Sequence, residues 1–509
     1  MVDETTGGQP AYADDVKTLH KMGYAQELAR NMGHFSNFAI SFSIICILSG
    51  GINSLAQGTS GVGGAGLGIG WLVGGAAALL FSLGMAQIAS AYPTAGGLYH
   101  WSSILGGRFW GWLTAWMNLL GLITVLSAIN VGTYYFFIGS FAPMLGIEDT
   151  YTTKVVFVGL MTASHALINH LGIRATTRLT DFSGYLILGG AVLLTVVLLA
   201  YAPSHDVSRL WTFSNYSGAA GGDVWPETTS IFSLFLLGLL LPIYTLTGYD
   251  ASAHTSEETL QAAKRVPTAI IHSVFWATLF AWIFSCAFVL AIPDMKEAAA
   301  QGWNVFFWTM DQVVPSGIKL AIYAIILVAQ YICGLATVTS VSRMIFAFAR
   351  DGGLPASPTL ATVSPKWRVP VAAIWTGATL AVVFVAWADA YSVAVAVTSI
   401  ALYVSYSMPI VAGGLAFGGK WKEMGPWNIG PIYRLVALAC GLIALVIFYI
   451  GTRAPNDKAL LFFGWIAAIT VVVWFALERR RFQGPPVSEE QVALRAAQIA
   501  AAEKAVGEA

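Results

Sequence analysis

Leu241-Pro242-Ile243-Tyr244-Thr245-Leu246-Thr247-Gly248-Tyr249-Asp250 is the stretch on which the reading of this chain turns. It sits in an apolar run that begins near Ile231 and has the length of one membrane helix. Midway come a proline, hydroxyl-bearing side chains, a glycine and a carboxylate. On insertion scales an Asp at the centre of a membrane helix costs about 2.5–3.5 kcal/mol. Irregular backbone at that depth persists only where it is buried in protein or lines a cavity. A helix broken at mid-membrane, with carbonyls and amides laid bare, is how secondary transporters build a solute site.

The rest of the chain fits a membrane reading. Of its 509 residues 57% are hydrophobic and 10% charged, with a mean hydropathy of +0.69, whereas soluble domains carry roughly 25% charged residues. Apolar runs of about 20 residues recur, each long enough to cross hydrocarbon. They predict twelve spans: 35–57, 67–90, 108–138, 153–172, 181–202, 229–258, 268–292, 317–346, 370–388, 391–416, 432–451 and 458–477. The segment 1–34 is a polar tail carrying Asp3, Glu4, Asp14 and Asp15, unlike a basic, cleavable leader. Residues 35–477 form the transporter body, with 478–509 as a second tail. With the N-terminus inside, cytoplasmic segments hold 20 of the 26 Lys and Arg, and only Lys154, Arg209, Lys296, Lys319, Arg453 and Lys458 fall outside. That asymmetry supports a multi-pass protein of a plasma or bacterial inner membrane with both termini cytoplasmic. After Pro485-Pro486, a helix is predicted from about Val487, with Ser488 and Gln491 as a capping box, packing on the cytoplasmic face.

A second break interrupts the first span at Leu48-Ser49-Gly50-Gly51-Ile52-Asn53-Ser54. Breaks in the first and sixth spans, five spans apart, are the signature of a 5+5 inverted repeat. The expected fold is therefore an all-α membrane protein of about twelve helices, with 35–202 and 229–416 as the two repeats and 432–477 as the last two helices. Asn118 and Thr124 in the third span and Tyr403 in the tenth are candidates to line the pocket. Cys46, Cys286, Cys333 and Cys440 lack metal or disulfide spacing and read as small core residues. His165 and His170 are five residues apart, off a shared helix face, and read as hydrogen-bonded packing. Glu257, Glu258, Lys264 and Arg265 suggest a cytoplasmic ion-pair cluster. No nucleophile elbow or phosphate loop is found, so no enzyme, cofactor, metal or nucleic-acid partner is expected.

Several motifs carry a resemblance. Gly96-Gly97-Leu98-Tyr99-His100-Trp101, Ser49-Gly50-Gly51, Thr247-Gly248-Tyr249-Asp250-Ala251-Ser252-Ala253-His254 with Glu257-Glu258-Thr259, and Ser342-Arg343-Met344-Ile345-Phe346-Ala347 leading to Arg350-Asp351-Gly352 occur in order. From about His34 to Arg481 the chain resembles the amino acid–polyamine–organocation superfamily, and within it the amino acid/choline transporter branch with its GABA and choline permeases. The resemblance implies a leucine-transporter-type fold and a solute between the first and sixth helices. Amides near Ser49, Gly50 and Gly51, with Ile52 and Asn53 beside them, would receive a carboxylate. Carbonyls near Tyr244, Thr245 and Thr247, continuing to Gly248 and Tyr249, would receive an ammonium. Helix ends have the matching polarity.

Tyr244 is similar to the aromatic that closes over solute in related transporters, and Asp250 to an acidic position of the sixth helix. Asp250 is expected to respond to protons or gate, or else to cap the inner half-helix. Thr337, Thr339 and Ser340 lie where sodium-coupled relatives place hydroxyl ligands. Proton-coupled relatives carry a lysine in the fifth span, and none occurs from Phe182 to Ala202. The proton is preferred to sodium as the coupling ion. The expected function is secondary-active uptake, by alternating access, of an amino acid or amino-acid-like solute such as GABA. Choline, ethanolamine or a polyamine is the alternative solute, and a membrane sensor or channel the alternative class.

Overall fold

Helix is the regular structure of this protein, as hydrocarbon requires of a chain that must satisfy its own backbone. A computed structural model describes residues 8–222, 224–387, 391–486 and 488–507, and no strand occurs among them. Asp3, Glu4, Val487 and position 388, the end of the ninth expected span, lie outside the described residues.

Among the described residues, nine helical segments are long and apolar enough to cross a membrane: His34–Asn53, Gly64–Ala91, Arg108–Ser140, Ile173–Tyr201, Ala262–Ala291, Ser316–Arg350, Tyr391–Ala416, Gly430–Gly451 and Asp457–Arg481. Two shorter apolar helices, Ile231–Thr245 and Val371–Ala386, and the helix Tyr151–His170 complete a set of twelve. Numbered along the chain, Tyr151–His170 is the fourth span and the segment from Ile231 the sixth.

The spans differ in how they are surrounded. In the first and tenth, 89% of the apolar window is buried inside the protein, against 17% in the twelfth. Among the nine long spans the first, third, eighth and tenth are the most enclosed, and Leu240–Thr245 of the sixth is buried as well. The eleventh and twelfth turn Leu435, Leu438, Leu442, Leu445, Leu461 and Trp465 outward, as a lipid-facing surface should.

Some helices start earlier than the sequence suggests. The fifth begins at Ile173, after Gly172 at φ +106°, where only glycine is at ease. The seventh begins at Ala262 and carries Pro267 within it. A proline cannot donate to the carbonyl four residues back, and here Ser90 Oγ donates to that Ala263 carbonyl at 2.8 Å instead. A neighbouring span replaces the lost bond, so the helix tolerates the proline.

Both predicted breaks are present. The first span is helical over His34–Ile45, leaves helical geometry at Cys46 (φ +21°), and resumes at Gly50–Asn53. The sixth runs Ile231–Gly238 and Leu240–Thr245, unwinds over 246–250, and resumes at Ala251–His254. The tails pack together on one side. The capping box at Ser488 and Gln491 is formed as expected.

Candidate functional site

The two breaks meet each other. A Cβ on Gly50 would lie 3.1 Å from Thr245 Cα, so the backbones approach as closely as a glycine permits. Gly248 sits at φ +93°, and a Cβ there would lie 2.2 Å from Ile44 Cγ2. Glycine is thus required twice, once for close approach and once for both space and conformation. As first residues of a helical turn, Gly50 and Gly51 have amides without intrahelical acceptors.

Ser49, Gly50, Tyr244, Thr245 and Thr247 together line a cavity of about 10 Å³, with Val125, Ile129 and Cys333 among its walls. That is about the room of a single water, so an amino acid can enter only after the walls part. Thr245 Oγ1 donates to Leu241 O and Thr247 Oγ1 to Tyr244 O, both at 2.8 Å. The Thr247 hydroxyl thus occupies the Tyr244 carbonyl at the edge of the break.

Beyond the cavity, away from the tails, lies a vestibule of about 490 Å³ lined by Ile52, Asn53, Tyr135, Trp303, Phe307 and Tyr391, among others. Asn53 Nδ2 has no hydrogen-bond partner among the described residues. Tyr244 and Tyr391 meet edge to face at 6.5 Å. Tyr244, which lines the small cavity, thus abuts Tyr391, which lines the vestibule.

Asp250 is fully buried and is the residue on which side chains from three spans converge. Tyr406 OH donates to its Oδ1 at 2.9 Å, and Asn118 Nδ2 to its Oδ2 at 3.0 Å. His254 Nε2 lies 3.3 Å from the same Oδ2. Its side chain makes no cap hydrogen bond to the inner half-helix, so the capping alternative gives way to this cluster. Tyr406 and His254 were not singled out from the sequence. The signals were there: Tyr406 is one turn past Tyr403, and His254 one turn past Asp250. Tyr403 OH reaches Leu246 O at 3.4 Å, and Tyr249 packs on Tyr406 with ring centroids 5.0 Å apart.

The eighth-span hydroxyls do not converge. Thr337 Oγ1 donates to Cys333 O at 2.8 Å and Thr339 Oγ1 to Asn169 Oδ1 at 2.7 Å, while Ser340 Oγ is buried without a partner among the described residues. Thr124 Oγ1 bonds back to Gly121 O and receives Thr398 Oγ1. Of the two histidines expected in hydrogen-bonded packing, His170 Nδ1 accepts from Trp375 Nε1 at 3.3 Å, whereas His165 packs its ring 4.4 Å from Tyr331 with neither ring nitrogen partnered among the described residues.

On the tail side, the halves of the broken helices are tied by side chains. Asn37 Nδ2 lies within 3.0 Å of Ser252 O, Thr255 Oγ1 and Thr259 Oγ1. Ser41 Oγ reaches Tyr249 O and Ser252 Oγ, at 3.0 and 2.7 Å. The acidic pair at 257 and 258 finds other partners than Lys264 and Arg265. Glu258 holds Arg343 through two bonds of 2.7 and 3.0 Å, and Glu257 holds Arg350 through two of 2.8 and 3.0 Å. The cations come from the eighth span, because the chain after Glu258 turns away into the seventh. Asp351 accepts from Tyr24 OH, Tyr99 OH and Arg495 Nη1, and so joins both tails to the spans. His20 Nε2 and the Gln26 amide meet Glu503 at 2.7 and 2.9 Å. Burial pushes the Asp15 and Glu27 carboxyls of the N-terminal tail above their ordinary range, against the pull of Arg30 on Asp15 and Arg350 on Glu27.

Comparison with known proteins places this architecture. The family model described as amino acid permease matches residues 32–476. The amino-acid permease BAT1 of Arabidopsis thaliana is 30% identical, over 92% of this chain and 95% of that protein. Its homolog in Oryza sativa subsp. japonica is 32% identical, over 94% and 96%. A solved Na+-coupled sialic acid symporter aligns at 14% identity and a TM-score of 0.48, over 89% of this chain and 96% of that one, too remote a likeness to speak to solute or ion.

Proposed function

The chain belongs to the amino acid permease family and is a multi-pass membrane transporter of amino acids, and on that premise we propose that it is a proton-driven importer working by alternating access. The solute is an amino acid or amino-acid-like molecule such as GABA. The observation that carries the reading is the meeting of the two breaks, Gly50 against Thr245, with amides on one side and carbonyls on the other. That arrangement suits a zwitterion. The solute's carboxylate goes to the amides of Gly50 and Gly51 and its ammonium to the carbonyls of Tyr244 and Thr245. To reach them it displaces the hydroxyl of Thr247 and swings Tyr244 and Tyr391 aside.

In this reading the two halves of the transporter are residues 35–202 and 229–416. Their broken helices hinge at 46–49 and 246–250. The tails lie in the cytoplasm, beneath a plasma or bacterial inner membrane. Proton rather than sodium coupling is supported by the buried carboxylate of Asp250 at the hinge, and by the Thr337 and Thr339 hydroxyls, which bond Cys333 O and Asn169 and do not converge with Ser340.

The test is uptake of a tritiated amino acid mixture that includes GABA into proteoliposomes of purified protein. Accumulation is expected under an inward proton gradient and not under a sodium gradient. Asp250→Asn is expected to lose the response to the proton gradient. Sodium-dependent, pH-insensitive uptake would overturn the proton reading.

A further inference from the structure

The Asp250 cluster can be counted hydrogen by hydrogen. Tyr406 OH accepts from the Gly248 amide at 3.1 Å, so its own hydrogen is committed to Asp250 Oδ1. Asn118 Nδ2 is a donor and is given to Oδ2. His254 Nδ1 faces the Ala95 carbonyl at 3.1 Å, and a carbonyl can only accept, so Nδ1 bears a hydrogen. The other ring nitrogen, Nε2, faces Asp250 Oδ2 at 3.3 Å. Without a second hydrogen it would set a lone pair against a carboxylate oxygen, two acceptors in a fully buried site. One hydrogen must lie between them. Asp250 already receives donors on both oxygens, the environment of an ionised carboxylate, so that hydrogen belongs to the ring.

We propose that His254 carries the coupling proton as an imidazolium paired with Asp250, and that Ala95 reports its loss to the Glu257–Arg350 ion pair; this rests on the proton-driven reading above. The proton comes from water on the vestibule side and leaves to water on the tail side, one proton bound and one released, with no other bond made or broken. When it leaves, the neutral ring keeps one hydrogen. A carboxylate is a stronger acceptor than a carbonyl, so the remaining hydrogen stays on Nε2 towards Asp250, and Nδ1 lets go of Ala95.

Ala95 is held from its other side as well. Its amide donates to Glu257 Oε1 at 3.0 Å, and that carboxylate grips Arg350. One residue of the loop between the second and third spans thus bridges the proton site and the ion pair closing the tail side. Deprotonation frees half of that bridge, which couples the proton's departure to opening. The ionisable groups around the dyad are Tyr406 on the tenth span, Tyr249 on the sixth, Glu257 with Arg350 across Ala95, and His100 in the helix after the loop, bonded to Thr94 at 2.9 Å. Glu257 is matched by Arg350, which leaves His254 as the partner that balances Asp250.

The test is nitrogen NMR of the full chain with labelled histidine rings in lipid nanodiscs. The chain has eight histidines, and His254→Gln identifies the signal in question. The expected ring carries hydrogen on both nitrogens near neutral pH, with Nδ1–H towards Ala95 and Nε2–H towards Asp250. Asp250→Asn is expected to give a singly protonated ring at neutral pH. Should that variant not fold, the wild-type spectrum decides alone. A ring carrying a single hydrogen, on Nδ1, near neutral pH overturns the assignment. Paired with the uptake assay, sodium-driven accumulation overturns the proton reading and this assignment together. Proton-driven accumulation alongside a singly protonated ring overturns the assignment only.

Discussion

The two sides of the candidate site are closed by different chemistry. On the tail side the broken helices are joined by the Asn37 and Ser41 hydrogen bonds, two ion pairs hold the end of the sixth span to the eighth, and Asp351 after the eighth ties in both tails. On the vestibule side the barrier is an edge-to-face contact of Tyr244 and Tyr391 beneath a cavity of about 490 Å³. Buried charges cannot part cheaply, because each left alone keeps its desolvation cost. Aromatic edges can slide apart for about 0.5–1.5 kcal/mol. The protein is therefore bolted on one side and lidded on the other, and the lid is expected to part at the smaller cost.

Four substitutions or conditions test that contrast, in falling order of effect. Arg343→Ala strands Glu258 in a fully buried position and should cost about 3–5 kcal/mol, read as a large fall in the melting temperature. Adding Glu258→Gln to it should recover part of the loss. A melting temperature unchanged in Arg343→Ala would remove the bolt. Asn37→Ala loses the ties to Ser252, Thr255 and Thr259 and should cost about 1–3 kcal/mol. Because these bonds join the tail-side halves, maleimide labelling from the tail side should rise as well.

Tyr391→Ala should cost only about 0.5–1.5 kcal/mol. It should nevertheless increase the rate at which a cysteine at Asn53 is labelled, since the lid is what it removes. The smallest effect concerns pH. Asp15 and Glu27 have ordinary values of 3.8 and 4.5, raised by burial in the docked tail. The docked state binds their protons more tightly than the free tail does, so their contribution favours docking at low pH and fades as pH rises through the raised values. Protease cleavage of the N-terminal tail should thus quicken as pH climbs above about 4.5, and Asp15→Asn with Glu27→Gln should flatten that slope.

How much of this was written in the sequence depends on the kind of interaction. Apolar runs and glycine-punctuated breaks act within one stretch of chain, so the helical set and both interruptions at Ser49-Gly50-Gly51 and at 246–250 could be read directly. The seventh span is expected from 268 but begins at Ala262, because Ser90 from another span replaces the bond that Pro267 costs. Long-range pairing was the harder part. Glu257 and Glu258 were matched to the nearest cations in sequence, Lys264 and Arg265, whereas Arg343 and Arg350 lie some ninety residues away and arrive only through packing. Asp250 stood out because a carboxylate is costly in hydrocarbon. Its partners Tyr406 and His254 did not, since buried tyrosine and histidine are ordinary until their neighbours are known.

Sided accessibility tests the account most directly. Two variants, Asn53→Cys and Ala251→Cys, would be made in a background lacking Cys46, Cys286, Cys333 and Cys440, reconstituted in vesicles, and treated with an impermeant maleimide from each side in turn. The bolt-and-lid account predicts that Asn53→Cys reacts from the vestibule side while Ala251→Cys stays protected from the tail side. Rapid labelling of Ala251→Cys from the tail side, with Asn53→Cys protected, would contradict it.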